Sequence, residues 1–233
     1  VTLESTKNGD IDVFLGNWMP AQASMLQPFT DDGSVEVVRH NLVGAKYTLG
    51  VPDYLHEAGL KDFSDIQRFR KELGASIYGI EPGNDGNHII LELIKKNEFG
   101  LGGFRLVESS EQGMLAQVER AYRSRQPVVF LAWAPHPMNT HFNVRYLTGG
   151  DASFGPDYGA ATVSTLVRRG YQQECPNVAR LLTNLEFTIE LENEWMDRIL
   201  SDKVRTADLA VEWLATRQPV VATWLEGVHG FDG

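Results

Sequence analysis

Two tryptophans could build a binding site. Each lies at the end of a short apolar run and is followed two residues later by a proline. Trp18 follows the run of residues 13–17, and Trp133 follows residues 128–132. The runs are too short for helices and contain Val and Phe, which predicts buried strands. Proline cannot continue a β-ladder, so the chain should leave the sheet there. Because ligands bind at the carboxyl ends of strands in α/β sheets, the pattern predicts one aromatic box built from two halves of the chain.

Motifs for other chemistries are missing from the sequence. It contains no nucleophile elbow, zinc-peptidase helix, phosphate-binding P-loop or paired redox cysteines. Residues 100–103 are rich in glycine but lack the spacing of a dinucleotide fingerprint. His136 and His141 lack an evident third metal ligand, and Cys175 lacks an obvious activating base. We therefore expect no metal, no cofactor and no enzymatic activity.

Charge and composition narrow the classes of partner. The 233 residues carry 21 Lys and Arg against 31 Asp and Glu, a net charge of −10, with no basic stripe of the kind that binds nucleic acid. An acidic surface mildly favours cationic ligands, although solubility alone also explains it. No apolar run approaches the ~20 residues of a membrane span, so we expect none.

The order of predicted elements divides the chain into two lobes. Residues 45–148 repeat a β–α–β order, which predicts a mostly parallel sheet flanked by helices. Residues 1–44 and 149–233 would form the other lobe from separate pieces. Chain crossings near residues 44–47 and 149–154 fit a hinge that lets lobes close on a ligand. The predicted class is α/β.

A Gly-containing turn at residues 81–87 connects a predicted strand, 76–80, to a predicted helix, 88–97. Free backbone N–H groups at such a helix start can bind ligand oxygens. An ordinary strand-to-helix turn is the alternative, and this feature alone favours it. Tyr47 lies in another predicted strand, 45–51, where the chain crosses between lobes. Two further tryptophans, Trp195 and Trp213, lie on helical faces and are expected to pack in the core.

Five ordered segments carry a resemblance to a known family. They are residues 16–20 (Gly-Asn-Trp-Met-Pro), 44–48 (Gly-Ala-Lys-Tyr-Thr), 79–87, 108–114 and 129–138. Together they resemble the choline-binding proteins of bacterial ABC importers, within the wider glycine betaine/proline betaine group. The resemblance extends over nearly the whole chain.

The resemblance implies a periplasmic two-lobed binding protein of the type II fold, which closes on choline in its cleft and delivers it to a membrane ABC permease. It places Trp18 in the wall of an aromatic cage from one lobe, and Tyr47 and Trp133 from the other. Asn84 would hydrogen-bond the ligand hydroxyl. These are the residues that the strand ends and the turn had already marked.

The physical chemistry of a quaternary ammonium agrees with such a cage. The group has no N–H to donate, and aromatic faces attract its charge by about 2 kcal/mol per desolvated contact. Glycine betaine or carnitine would need donors for a carboxylate, which the turn at residues 83–86 could supply. A neutral hydroxyl tail fits the cage motifs better, and acetylcholine differs only by its ester. Two alternative hypotheses come from other functional classes: a two-lobed enzyme and a ligand-sensing domain of the same fold.

The resemblance also implies a segment ahead of Val1. Family members carry an additional βα unit there, with another cage tryptophan, an acidic residue facing the cation and commonly a cysteine that would pair with Cys175. We therefore expect this chain to be a truncated form whose first lobe lacks that unit.

Overall fold

In the computed structural model, which describes residues 1–230, the chain forms two units that each contain part of a β-sheet. Unit 1 comprises residues 1–44 together with those from 162 onward, and unit 2 comprises residues 45–161. The sequence division placed residues 149–161 with the first lobe, whereas here they group with unit 2. Phe154 accounts for this, because its ring packs 5.9 Å from that of Phe63 and 6.2 Å from that of Tyr47, both in unit 2.

The strands and helices have the following bounds. In chain order the strands are β1 Val13–Met19, β2 Val35–Pro52, β3 Ser76–Tyr78, β4 Arg105–Val107, β5 Phe130–Ala134, β6 Val144–Tyr146 and β7 Ala160–Arg168. The α-helices are α1 Thr2–Asn8, α2 Ala23–Asp31, α3 Asp53–Glu57, α4 Asp85–Lys95, α5 Glu111–Arg123, α6 Met138–His141, α7 Asp151–Phe154, α8 Pro156–Gly159, α9 Tyr171–Glu174, α10 Pro176–Asn184, α11 Ile189–Leu200, α12 Thr206–Thr216 and α13 Gln218–Trp224. Two 3₁₀ helices cover Phe63–Phe69 and Glu98–Gly103.

Unit 2 contains a mixed sheet. Within it the strands lie in the order β2-β5-β3-β4, and β6 also pairs with β2. β3 runs parallel to both β4 and β5, as predicted, because α4 and α5 form crossover connections between them. β2 runs antiparallel to β5 and β6, which differs from the predicted mostly parallel sheet. The reason is that β2 comes from unit 1 as one long strand, without a crossover helix.

Unit 1 places β7 between β1 and the first part of β2. β1 is antiparallel to β7, again unlike the parallel arrangement predicted for this lobe. Leu26, Val35 and Leu166 form one buried cluster. The tryptophans of its helices pack on one another, with ring centroids 5.1 Å apart for Trp195 and Trp213. Trp213 is buried, as expected, whereas Trp195 is half-buried.

The helices that flank the unit 2 sheet begin at side-chain caps. Ser110 accepts a hydrogen bond from the Gly113 N–H at the start of α5, as serine does at many helix N-caps. α4 begins at Asp85, three residues before the predicted start, because Asn84 caps it. Its apolar face buries Ile90 and Leu93. Within residues 1–230, no helix has the length and apolar character needed to cross a membrane.

Candidate functional site

Two of the predicted cage residues are cross-strand partners in unit 2. The antiparallel register of β2 and β5 sets Tyr47 opposite Trp133. Residues directly opposite in an antiparallel pair project from the same face of the sheet. Their rings lie 6.5 Å apart between centroids and are tilted by 57°. Tyr47 is 6% exposed and Trp133 7%, so both rings are largely removed from water.

Tyr47 is held by close approaches on two sides. Its ring meets the edge of Phe154 at 6.2 Å. A Cβ at Gly86 would lie 2.4 Å from the Tyr47 Oη and 2.7 Å from a methyl group of Leu131, so only glycine fits there. A Cβ at Gly159 would lie 2.3 Å from the Tyr47 carbonyl oxygen. Gly86 therefore leaves room for the Tyr47 hydroxyl, and Gly159 leaves room for the Tyr47 backbone.

The loop after β5 fixes Trp133. The His136 ring meets Trp133 in an edge-to-face arrangement at 5.1 Å. His136 Nδ1 accepts from the Met138 N–H at 2.9 Å, and its Nε2 lies 3.3 Å from Glu111 Oε1. Asn139 Nδ2 donates to the Trp133 carbonyl oxygen at 2.8 Å. His136 therefore supports Trp133, and residues 1–230 contain no group of three or more side chains suited to hold a metal ion.

Asn84 joins the aromatic pair to the start of α4. Its Oδ1 accepts from the Tyr47 hydroxyl at 2.9 Å and from the N–H groups of Gly86 at 2.8 Å and Asn87 at 3.2 Å. Two backbone donors on one oxygen fix the orientation of the carboxamide. Its Nδ2 donates to Asp85 Oδ1 at 2.9 Å, which uses one of the two amide protons. The turn at residues 81–87 is thus a helix cap that also reaches Tyr47.

Asp85 places a carboxyl group beside this network. It is the first residue of α4 and is 7% exposed. Burial raises the pKa of its carboxyl group. Burial, and after it the charge of Asp85, also raises the pKa of the Tyr47 hydroxyl. The hydroxyl therefore stays protonated at neutral pH and is the donor in its hydrogen bond to Asn84.

Trp18 lies in unit 1, near the end of β1. It stands opposite Val163 of β7 and is half-buried. Its backbone N–H donates to Gln22 Oε1 at 3.1 Å. The peptide bond between Met19 and Pro20 is cis, as is the bond before Pro135 in the segment that follows Trp133. Both tryptophans lie at strand ends as predicted, although each strand continues one residue beyond its tryptophan.

Lys46 is a cation next to Tyr47 that the sequence reasoning passed over. Its ammonium donates to the Asp157 carbonyl oxygen at 2.5 Å and lies 5.4 Å from the ring centroid of Tyr158. Successive residues of a strand point to opposite faces, so Lys46 and Tyr47 project apart. The nearest cation in sequence is therefore engaged on the other face of the strand.

Comparison with known proteins shows the family. Residues 1–216 match the family model OpuAC, the substrate binding domain of ABC-type glycine betaine transport systems. A solved ABC-transporter choline binding protein in complex with choline is 54% identical, with a TM-score of 0.96, covering 100% of this chain and 80% of that one. This similarity confirms the periplasmic-binding-protein fold.

Two curated relatives also match. The glycine betaine/carnitine transport binding protein GbuC of Listeria monocytogenes is 29% identical over 168 residues, covering 70% of this chain and 55% of that protein. An uncharacterized protein, ORF1, of Chromohalobacter salexigens is 48% identical over 83 residues, covering 36% of this chain and 54% of that protein. The matches span about half the length of these relatives. The chain belongs to the OpuAC family of substrate-binding domains of ABC-type glycine betaine transport systems.

Proposed function

We propose that this chain binds choline for an ABC importer, without chemical turnover, and delivers it to a membrane permease from the periplasm. The observation that carries the proposal is the Tyr47–Trp133 pair, with the Asn84 carboxamide hydrogen-bonded to the tyrosine hydroxyl. Family membership supports the transport role. The 54% identity to a choline binding protein supports the ligand.

The aromatic pair suits the cationic end of choline. A trimethylammonium group cannot donate hydrogen bonds and is attracted to the faces of aromatic rings. Because Tyr47 and Trp133 are nearly buried, each contact would reach the desolvated limit of about 2 kcal/mol. We assign Trp18 to the same ligand as a third wall, on the strand–Trp–X–Pro pattern that it shares with Trp133.

Asn84 suits the hydroxyl end. Its oxygen is occupied by three donors, and one of its amide protons is taken by Asp85. The second amide proton is the group that it offers to a ligand, so the choline hydroxyl oxygen would accept this bond. The residue to which the family resemblance assigns the ligand hydroxyl therefore also forms the cap of α4.

Glycine betaine or carnitine is the second candidate ligand. The name of the Listeria relative and the family description both support it. Its carboxylate would need more donors than the single amide proton of Asn84. Lys46, the adjacent cation, is engaged by Asp157 and Tyr158. The local chemistry therefore favours the neutral tail of choline.

Calorimetric titration of the chain with choline and with glycine betaine tests the proposal. Trp133→Ala should weaken choline binding about 30-fold, which corresponds to the loss of one contact of about 2 kcal/mol. Trp195→Ala, at a half-buried tryptophan of unit 1 that packs on Trp213, is the control and should leave the affinity unchanged. Saturable choline binding that is weakened to this extent only in Trp133→Ala supports the cage. A folded chain that gives no heat with choline, or equal binding by both variants, would overturn it.

A further inference from the structure

Asp85 is a buried carboxyl group to which the proposed function assigns no role. It is 7% exposed and forms no salt bridge with any residue in the described range 1–230. A buried carboxylate without a cationic partner is costly even when it is hydrogen-bonded, so its presence calls for a role. Its side chain accepts from Asn84 Nδ2 at 2.9 Å and also interacts with the Tyr47 hydroxyl.

The hydrogen bonds around Asn84 place this carboxylate next to the proposed ligand tail. Both protons of the amide leave the same nitrogen, one toward Asp85 and the other available to a ligand. The carboxamide cannot turn over to present its oxygen instead. That oxygen is held by the backbone N–H groups of Gly86 and Asn87 as well as by Tyr47. A group bound to the second proton therefore lies beside a carboxylate.

We propose that Asp85 is a specificity-determining residue, an inference that rests on the proposed function. Its negative charge would favour choline and reject ligands whose tail carries a carboxylate. Choline ends in a neutral hydroxyl, which lies beside a carboxylate without electrostatic penalty. Glycine betaine would bring a second carboxylate to the same place, and juxtaposed like charges are strongly unfavourable. The trimethylammonium group, farther away against the rings, would be attracted. One charge thus acts in opposite directions on the two ligands.

Two features of the surroundings of Asp85 stabilise its charged form. It occupies the first turn of α4, an 11-residue helix, where the helix dipole stabilises an anion. The amide donor of Asn84 also binds the charged form. Burial opposes both effects and raises the pKa of the carboxyl group.

The test compares the affinities for choline and glycine betaine in the wild type and in Asp85→Asn. Asparagine has the same shape and its oxygen can still accept from Asn84, so the substitution removes mainly the charge. We expect choline affinity to fall about three- to tenfold, since tenfold corresponds to 1.4 kcal/mol. Glycine betaine affinity should rise. The control is Asp53→Asn, at the first residue of α3 in the same unit, and it should leave the ratio of affinities unchanged.

A structural role for Asp85 would weaken both ligands together, so shifts in opposite directions support the proposal and parallel losses overturn it. A ratio of affinities that Asp85→Asn leaves unchanged overturns it too. Thermal unfolding of both variants without ligand checks that they remain folded. A wild-type chain that prefers glycine betaine would overturn both this inference and the choline proposal. Choline preference that survives Asp85→Asn overturns only the role of Asp85.

Discussion

Removal of the Tyr47 hydroxyl, by Tyr47→Phe, separates the contribution of the ring from that of the hydroxyl group. The hydroxyl donates to Asn84 Oδ1 at 2.9 Å and accepts from the Gly86 N–H at 3.2 Å. These two partners also bond each other at 2.8 Å. Asp85, whose carboxyl group also interacts with the hydroxyl, keeps its hydrogen bond from Asn84 Nδ2, so none of the three is left unpaired by the substitution. We therefore expect a loss of stability near 1 kcal/mol, the net value of one hydrogen bond, rather than the 1–3 kcal/mol of an orphaned buried group. For a chain of this size, that lowers the melting temperature by about 2–4 °C.

Ligand binding should respond differently. Phenylalanine presents a similar ring face to a cation, and the amide proton that Asn84 offers is unaffected by the change. We expect the choline dissociation constant of Tyr47→Phe to stay within about threefold of the wild-type value. Tyr47→Ala removes the ring contact of about 2 kcal/mol and should weaken binding about 30-fold.

The measurements are thermal unfolding without ligand and calorimetric titration with choline. Tyr54→Phe is a matched control, since its hydroxyl donates to the Gln126 carbonyl oxygen at 2.6 Å in the same unit. It should lose comparable stability with no change in binding. If Tyr47→Phe abolishes binding as completely as Tyr47→Ala, the hydroxyl rather than the ring makes the ligand contact. A melting temperature lowered by more than about 10 °C would show that the partners do not compensate.

Three further outcomes are expected. Gly86→Ala should displace the Tyr47 ring, because the new Cβ would lie 2.4 Å from its Oη, and it should lower both the melting temperature and the choline affinity. Gly113→Ala should lower neither, since the three atoms nearest to its new Cβ are serine side-chain atoms at 3.1–3.3 Å. Asn84→Ser keeps an N-cap and should cost less than about 1 kcal/mol in unfolding experiments, yet weaken choline about three- to tenfold in calorimetry by removing the amide donor. Burial raises the pKa of Asp85 above its usual 3.8, so the folded chain takes up this proton more readily than the unfolded chain. Acidification through that raised pKa should therefore increase the contribution of Asp85 to the free energy of unfolding. It should also reduce the preference for choline over glycine betaine, because the carboxyl group loses its charge. A preference that is constant across this pH range would contradict the role of that charge.

Local patterns in the sequence were sufficient to predict the elements that carry the proposed site residues. The apolar runs ending at Trp18 and Trp133 predict strand ends because proline interrupts a ladder wherever it occurs. The turn before α4 was predicted from its glycines, although the start of the helix was placed three residues late. The signal for the earlier start was present, since Asn84 followed by Asp85 is a common N-cap and first-turn pair.

Long-range features could not be predicted in this way. The sequence does not state that β2 is antiparallel to β5, so it does not place Tyr47 opposite Trp133. The burial of Asp85 is equally invisible, because an Asp at a helix start is usually solvated. The contacts of Lys46 are long-range as well. Alternation along the strand indicates that it points away from Tyr47, but its partners Asp157 and Tyr158 lie more than 100 residues further along the chain and are known only from the structure.

The register of β2 against β5 determines whether the aromatic pair exists at all. A slip of one residue would turn Tyr47 to the opposite face of the sheet and bring Lys46 or Thr48 opposite Trp133. Gly50 opposes such a slip. A Cβ at this position would lie 2.9 Å from that of Ala132 and 2.8 Å from a methyl group of Val144, so the strands approach this closely only where β2 has a glycine. The geometry of the rings therefore depends on a residue three positions along the strand, which has no side chain to touch a ligand.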